Sequence, residues 1–442
     1  MEMLASWIWN PMLSLIYLEV GILFLVLTKG VALRRAIDVL KQAWHSRSRK
    51  KSSDNHRHIQ HTDAFIAALA AGIGVGNLAG VGTAIHLGGP GALFWMWMSA
   101  LMGASFRMCS VYVSVRYGPT DHNSPLFATP MAYIEKFVGR FWPGFAPMLA
   151  GLILFQGLVS ANLIQANSVA HAVTNELGVS TVVVALTLFV AVAVVVVGGV
   201  KSIVNFSVAS APFMVVAYVV GGVIILFANP QESLRAVGLV FTHAFTPYSI
   251  GGGVAGYTLM QTIQFGVSRG VFSHFSGMGI APFLHGANDD HPSQGAYLAA
   301  LVPLIDTLVV CSITGFVILA IGDWHGLTGA YLTVTSFQAG LGGLGRVLVF
   351  VCLGMFAFTT IINWAYFSER CFEYLWGGNV KIYRWFFAGM TFCGPFFPVA
   401  LVWSMADVVI GIMLLVHLPM LTYILLLKLP TIMQGLLSWK GE

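Results

Sequence analysis

Charge is what this sequence has least of. Asp, Glu, Lys and Arg make up 9% of its 442 residues and apolar residues 57%, against about 25% charged in an ordinary soluble domain. A water-soluble globule is excluded, and a polytopic membrane protein is expected. Cysteine is nearly as scarce. Cys109, Cys311, Cys352, Cys371 and Cys393 all lie in or beside apolar runs without C-x-x-C spacing, which argues against a disulfide frame or a transition-metal site. Long polar stretches are missing too. The longest, residues 34–62, is basic and rich in Ser and His and is expected to be a flexible cytoplasmic loop, so no soluble domain is foreseen.

What the chain does have is apolar runs long enough to cross a hydrocarbon core of about 30 Å, at roughly 12–33, 63–90, 92–115, 146–172, 179–200, 203–228, 250–286, 295–321, 346–376, 383–403 and 405–428. That makes about eleven spans. The first is too long for a signal-peptide core and lacks a small-x-small cleavage site, so it is expected to stay as an anchor helix.

Position resolves what the formal charge of +5 leaves open. Arg34, Arg35, Lys41, Arg47, Arg49, Lys50, Lys51 and Arg57 crowd the loop after the first span, which the positive-inside rule assigns to the cytoplasm. With the N-terminus outside, Lys136, Arg140, Lys201, Arg370, Lys381, Arg384, Lys428 and Lys440 also fall inside, whereas Arg235 and Arg346 fall outside. A juxtamembrane basic run is thus read as topology and contact with membrane lipid, with no nucleic-acid partner.

Two glycine-broken stretches interrupt the apolar runs: Ala71-Gly72-Ile73-Gly74-Val75-Gly76-Asn77 and Phe272-Ser273-His274-Phe275-Ser276-Gly277-Met278-Gly279. Broken helices are tolerated at membrane depth where the freed backbone lines a cavity or is buried in protein, and a matched pair points to a transporter's binding site. After the first span ten helices remain, and the second break falls in the sixth of them. That is the expectation for two inverted repeats of five. The expected organisation is an anchor helix (1–33), a basic cytoplasmic loop (34–62), a first five-helix repeat (63–228), a second (229–428) and a cytoplasmic tail (429–442). The His86 to Gly91 stretch reads as a tight external hairpin with a solvated His86 that has no role.

Unwinding at Gly74–Gly76 frees amide N–H groups suited to a carboxylate and carbonyls suited to a small cation. Asn77 would add a side-chain oxygen. The rival reading is that the glycines serve close helix packing, but an amide directly after them at bilayer depth favours a site. At the second break Phe272, Ser273 and Met278 are candidate pocket walls, with Gly277 and Gly279 opening the backbone. Gln165, Asn167 and Ser168 place polar groups inside an apolar helix, and Thr359 and Thr360 place adjacent hydroxyls in another. For any single Thr, a bond back to its own helix is the default. Asp306 lies well inside an apolar run and Asp407 near the start of the last one. Intramembrane acids are candidates for proton relay or cation binding; a structural pair with Arg107, Arg269 or a backbone terminus is the alternative. A serine nucleophile at Ser276 with His274 or His285 as base is disfavoured by spacing, so no enzyme is expected.

The run Val75-Gly76-Asn77-Leu78-Ala79-Gly80-Val81-Gly82-Thr83-Ala84-Ile85, followed by Gly88-Gly89-Pro90-Gly91-Ala92-Leu93-Phe94-Trp95-Met96-Trp97, resembles the alanine or glycine:cation symporter family. Gln165-Ala166-Asn167-Ser168, Gly198-Gly199-Val200-Lys201, Arg269-Gly270-Val271-Phe272-Ser273, Gly277-Met278-Gly279, His291-Pro292, Asp306-Thr307 and Ser368-Glu369-Arg370-Cys371-Phe372-Glu373-Tyr374-Leu375 continue the resemblance in the family's order. It implies an all-α leucine-transporter-like fold with an extra N-terminal helix and sodium-coupled uptake of a small neutral amino acid of the alanine and glycine class, with sodium as co-transported ion and no cofactor. The substrate carboxylate would lie on the amides of Val75 and Gly76, with Gln165, Phe272, Ser273, Gly277 and Met278 completing the pocket. Sodium would be held by carbonyls near Ala70 and Ile73 and by the hydroxyls of Thr359 and Thr360, with Asn77 at a second ion position. The chain departs from the family where it has Val75 for Thr, His274-Phe275 for Asn-Glu, and Ser110 for an acid. His274 is a group that ordinarily titrates near neutrality. A proton-coupled or altered-substrate transporter, or a non-transporting amino-acid sensor of the same fold, is the alternative these departures raise.

Overall fold

The computed structural model describes residues 1–35, 38, 39, 41, 60–249, 256–286 and 292–439. Most of the basic loop, His291 and Lys440 lie outside them. Seventeen longer helices carry the fold: α1 (Pro11–Leu27), α2 (His61–Gly72), α3 (Val81–Gly88), α4 (Ala92–Tyr117), α5 (Pro130–Phe137), α6 (Phe145–Leu158), α7 (Ile164–Leu177), α8 (Thr181–Val197), α9 (Gly199–Ala228), α10 (Pro230–His243), α11 (Leu259–His274), α12 (Pro292–Ile305), α13 (Ser312–Ile321), α14 (Gly329–Leu341), α15 (Gly343–Trp376), α16 (Val380–Cys393) and α17 (Val399–Ser438). The other described elements are short helices at Glu2–Ile8, Val31–Arg34 and Pro282–His285, π-turns at Gly76–Gly80, Val159–Leu163 and Asp306–Cys311, a 3-10 turn at Gly394–Phe396, and a two-residue β-pair of Tyr248–Ser249 with Gly256–Tyr257.

Among the described residues six helical stretches are long and apolar enough to cross a membrane, and α2 with Gly76–Gly88 makes a seventh that bends by 51°. The faces they expose suit lipid. On α9 Phe213, Val216, Val220, Ile224 and Phe227 are exposed at helical spacing, while Met214, Tyr218, Gly222 and Ile225 on the opposite side are buried. In water such a stripe would be a sticky patch; in hydrocarbon it is the ordinary outer surface.

α4 is largely buried and packs against α1, α11 and α12. It brings Arg107 inside, where Nε donates to the Ala299 carbonyl (3.1 Å) and Nη1 to the His274 carbonyl (3.2 Å). The guanidinium thus caps the C-terminal end of α11, where a helix leaves carbonyls unsatisfied and negative. On the other flank α15 packs against α2, α6, α9 and α14. Its C-terminal part is tied to α16 by Arg384, whose Nε and Nη2 grip Glu369 at 2.6 and 2.8 Å. The last helix departs from the expected end of the chain's spans. α17 runs through Pro419 and Pro430 to Ser438, so the stretch read as a tail is a helical continuation. The Gly88–Gly91 turn is present, with Gly89 at φ +74°, but His86 is half-buried and its Nδ1 donates to the Trp324 carbonyl at 3.0 Å rather than facing solvent.

Candidate substrate and cation site

Three helices wind into π-turns, and each does so where a polar group must be turned inward: Gly76–Gly80 after α2, Val159–Leu163 between α6 and α7, and Asp306–Cys311 between α12 and α13. An extra residue in a turn rotates the following side chains and frees a carbonyl, which is why such turns gather at functional sites. Here the first carries Asn77, the second precedes Gln165, and the third begins with Asp306 and Thr307. All four side chains are buried.

The first break lies where expected. α2 ends at Gly72, and Ile73 and Gly74 leave the helix before the chain resumes. The Gly74 N–H donates to Asn77 Oδ1 (2.9 Å), the Val75 N–H donates to Gln165 Oε1 (3.0 Å), and Thr360 Oγ1 donates to the Ile73 carbonyl (3.2 Å). The glycines are a steric demand. A Cβ on Gly74 would stand 2.6 Å from Thr360 Oγ1 and 3.1 Å from Gln165 Oε1; one on Gly76 would stand 3.0 Å from the Phe272 ring and 3.2 Å from Ser273 Cα. Close packing and a polar site, offered by the sequence as rivals, coincide here.

Asp306 is the centre of the second half of the site. Its Oδ1 accepts from Asn77 Nδ2 (2.7 Å), and its Oδ2 accepts from Ser273 Oγ (2.7 Å) and Thr307 Oγ1 (3.0 Å). Cys311 Sγ lies 3.3 Å from both Asn77 Nδ2 and Ser273 Oγ. The carboxylate is held by neutral donors. Arg269, a candidate structural partner, pairs instead with Asp407 at 2.6 Å, and Arg107 bonds the two carbonyls already described. An acid in a low-dielectric interior without a bonded cationic side chain is a natural seat for a small cation, with Ser273 and Thr307 supplying further oxygens, while Asn77 turns its Nδ2 to the carboxylate and its Oδ1 to the Gly74 N–H.

The second break is real, and its parts separate. α11 ends at His274, Phe275 takes the left-handed conformation (φ +50°), and Gly277 and Gly279 follow at +88° and +85°. Phe272 and Ser273 face the first break, and Phe272 stacks on Trp403 at 4.8 Å. Gly277 faces elsewhere: its carbonyl meets His417 Nδ1 at 2.7 Å, and a Cβ there would touch Leu414 and Leu418 of α17. Met278 is buried without a polar contact to the Asp306 group among those described. His274 Nδ1 accepts from the Ser276 N–H at 3.2 Å, which leaves Nε2 to carry the proton toward Ser99 Oγ at 3.2 Å. That tautomer is neutral and has a use for both nitrogens. Ser276 Oγ donates to the His274 carbonyl at 3.5 Å, so the pair lacks a nucleophile-to-base contact.

Thr359 and Thr360 also part company. Thr359 Oγ1 turns back to its own helix, to the carbonyls of Met355 (3.0 Å) and Phe356 (3.1 Å), while Thr360 reaches across to Ile73. Ala70 is buried one turn before Ile73, on a helix against which α15 packs. Asn167, noted for its position inside an apolar helix, donates to the Gly394 and Phe397 carbonyls (3.1 and 2.8 Å) and holds the α16–α17 corner rather than the site. Thr307 and Cys311 have no site role in the sequence reading. Thr307 is adjacent to an intramembrane acid, which was the available signal.

The model of the sodium:alanine symporter family matches residues 1–434. A sodium/alanine symporter of Methanococcus maripaludis is 36% identical over 419 residues, covering 92% of this chain and 90% of its own. A probable sodium/glutamine symporter of Bacillus subtilis is 30% identical over 93% of this chain and 85% of its own. Among solved structures, a Na⁺-coupled sialic acid symporter in a substrate-bound outward-open state is similar with a TM-score of 0.54, covering 93% of this chain and 86% of that one at 11% identity, a likeness of fold alone.

Proposed function

The chain belongs to the sodium:alanine symporter family, and from that premise we propose that it carries a small neutral amino acid of the alanine and glycine class together with sodium, by alternating access, across a bacterial-type cytoplasmic membrane. It is a multi-pass membrane transporter rather than an enzyme, with sodium as its co-transported ion. The observation that carries the finer reading is the Asp306 carboxylate, buried, bonded by Asn77, Ser273 and Thr307, and set against both broken helices.

In this reading sodium sits among Asp306, Ser273 and Thr307, where Asn77 must turn its amide over to offer its oxygen, and a second cation position uses the carbonyls near Ala70 and Ile73 with Thr360. The substrate carboxylate takes the amides of Val75 and Gly76. Gln165, which accepts from the Val75 N–H in this structure, yields that donor and turns its own amide to the substrate. Two ligands of opposite charge at neighbouring ends of one unwound segment stabilise each other, so each raises the other's affinity. Gly76 packs closely on Phe272, and the Phe272–Trp403 stack is the apolar wall for the substrate side chain in this reading.

Eleven spans are proposed, formed by α1, α2 with α3, α4, α6 with α7, α8, α9, α11 with Pro282–His285, α12 with α13, α15, α16 and α17. The N-terminus is outside and the last ten spans form two inverted sets of five. The deciding experiment is uptake of labelled alanine and glycine into proteoliposomes under an imposed sodium gradient and, separately, a proton gradient. Accumulation driven by sodium alone is expected. Drive by protons alone overturns the ion assignment, and no uptake overturns the substrate class.

A further inference from the structure

The last helix grips the second broken helix on its first leg and again within its break. On the first leg Asp407 holds Arg269; in the unwound segment, ten residues further along α17, His417 holds Gly277. Only the first of these is an ion pair. The second is a buried chain of neutral hydrogen bonds that runs through four elements.

Its directions follow from the atoms. The Gly277 carbonyl can only accept, so His417 Nδ1, 2.7 Å away, carries the proton and donates. In the neutral ring Nε2 is then an acceptor, and Tyr133 Oη, at 2.6 Å, donates to it. Tyr133 has spent its proton, so Ser110 Oγ, at 2.9 Å, donates to the phenol oxygen. Ser110 is on α4, Tyr133 on α5, His417 on α17, and all three are buried. The carbonyl at the end of the chain belongs to the unwound segment, which has no helical partner to offer it.

Packing matches the bonding. Leu414, His417 and Leu418 present one face of α17 to the unwound segment: a Cβ on Gly277 would meet Leu414 and Leu418 at 3.0 and 3.2 Å, and one on Gly279 would meet the His417 ring at 3.1 Å. Beside the segment is a small cavity whose lining includes Gly72, Arg107, His274, Ile280, Ala281 and Phe367, from the end of α2 and the chain that follows the second break. Ile280 and Ala281 of the cavity lining lie three and four residues after Gly277, so the His417–Gly277 bond ties the segment that carries them to α17.

We propose that His417 is a positioning residue of the transport cycle, a latch that holds the unwound segment of the second broken helix closed through the Gly277 carbonyl and is itself oriented by Tyr133 and Ser110. Opening toward the cytoplasm breaks the His417–Gly277 bond. The proposal rests on the alternating-access reading for its meaning, while its test does not require transport.

The test is the rate at which a maleimide modifies a cysteine placed in the cavity lining (Ala281→Cys), in full-length protein carrying Cys393→Ser to remove the one exposed native thiol, in membranes with the cytoplasmic face accessible. His417→Phe keeps the ring and removes both bonds; labelling is expected to accelerate about tenfold, the scale of one buried carbonyl losing its donor. His417→Asn offers an amide N–H at the Nδ1 position and is expected to return the rate to within about threefold of the parent. Tyr133→Phe, which removes only the orienting hydroxyl, is expected to give an intermediate acceleration and serves if His417→Phe does not fold. A merely structural loss would lower the melting temperature and would not be rescued by Asn. Equal labelling in parent and folded His417→Phe, or in parent and Tyr133→Phe where only that variant folds, overturns the latch, as does acceleration that His417→Asn leaves unchanged. Failure of sodium-driven uptake in the parent would sink the transport reading and leave the labelling result standing.

Discussion

Arg269 donates to Asp407 at 2.6 Å and lies over the Trp403 ring at 5.3 Å, while Trp403 stacks on Phe272 at 4.8 Å. Charge pair, indole and phenyl form one column that ends on the wall of the candidate substrate pocket. Two guanidinium nitrogens of Arg269, Nε and Nη1, are buried without a hydrogen-bond partner, so Asp407 and the indole face are what hold this cation. Asp407→Asn removes the counter-charge of a largely buried arginine, a loss of about 2–4 kcal/mol on the scale of broken buried pairs. Thermal unfolding in detergent is expected to shift down by several degrees. An unchanged melting curve would mean that the ring, not the acid, carries the arginine.

Asp306→Asn tests the cation site directly. The amide can still accept from Asn77, but it no longer offers a negative charge, and burial magnifies what a charge is worth. The sodium concentration for half-maximal uptake is expected to rise by about tenfold or more, corresponding to at least about 1.4 kcal/mol of binding. Sodium titration of uptake in proteoliposomes checks it; a curve that overlays the parent's would move sodium away from Asp306.

Two glycines six residues apart should behave oppositely. A methyl on Gly74 would sit 2.6 Å from Thr360 Oγ1, whereas nothing lies within 4 Å of one on Gly80. Gly74→Ala must push Thr360 or Gln165 off its bond to the first break, an overpacking cost of about 1–3 kcal/mol placed at the binding site. Uptake by Gly74→Ala is expected to fall at least about tenfold and by Gly80→Ala to stay within about twofold, measured at equal protein in the membrane.

The breaks were readable because glycine and buried amides are conspicuous against an apolar background; the wiring between them was not. Asn77 meets Asp306, 229 positions away, and Ser110 reaches His417 through Tyr133. Spacing along the chain cannot supply such pairings. Membrane helices also give up the signal that assigns faces in soluble proteins: α17 is apolar all round and has no polar stripe to say which side looks inward. His417 sits in it as a lone ionisable residue in a long apolar run, and that was its available signal. The extra turn residues at Gly76–Gly80, Val159–Leu163 and Asp306–Cys311 are equally silent in sequence, because a π-turn is selected by packing rather than by local propensity. The resemblance to a family supplied what periodicity could not, a ligand set of which Val75, Gly76, Asn77, Gln165, Phe272, Ser273 and Thr360 stand together around the first break, while Gly277 turns to α17.

Adjacent threonines on α15 give the sharpest remaining test. A family-based ligand set treats Thr359 and Thr360 alike, but their hydroxyls point to different partners: Thr359 to Met355 and Phe356 in its own helix, Thr360 to Ile73 at the break. A hydroxyl that bonds back into its helix is locally satisfied, and its removal costs little. One that crosses to an unwound carbonyl marks where a cation can share that carbonyl. Thr360→Ala is therefore expected to raise the sodium half-saturation of uptake by about threefold to tenfold, the worth of one hydrogen-bond-scale ligand. Thr359→Ala is expected to stay within about twofold of the parent. The comparison also separates two states of the site. If Thr359→Ala proves the more damaging, its hydroxyl must leave Met355 and Phe356 to reach the ion, and the helix has to rotate about its axis when sodium binds; equal effects would give both hydroxyls to the ion, as the family pattern has it.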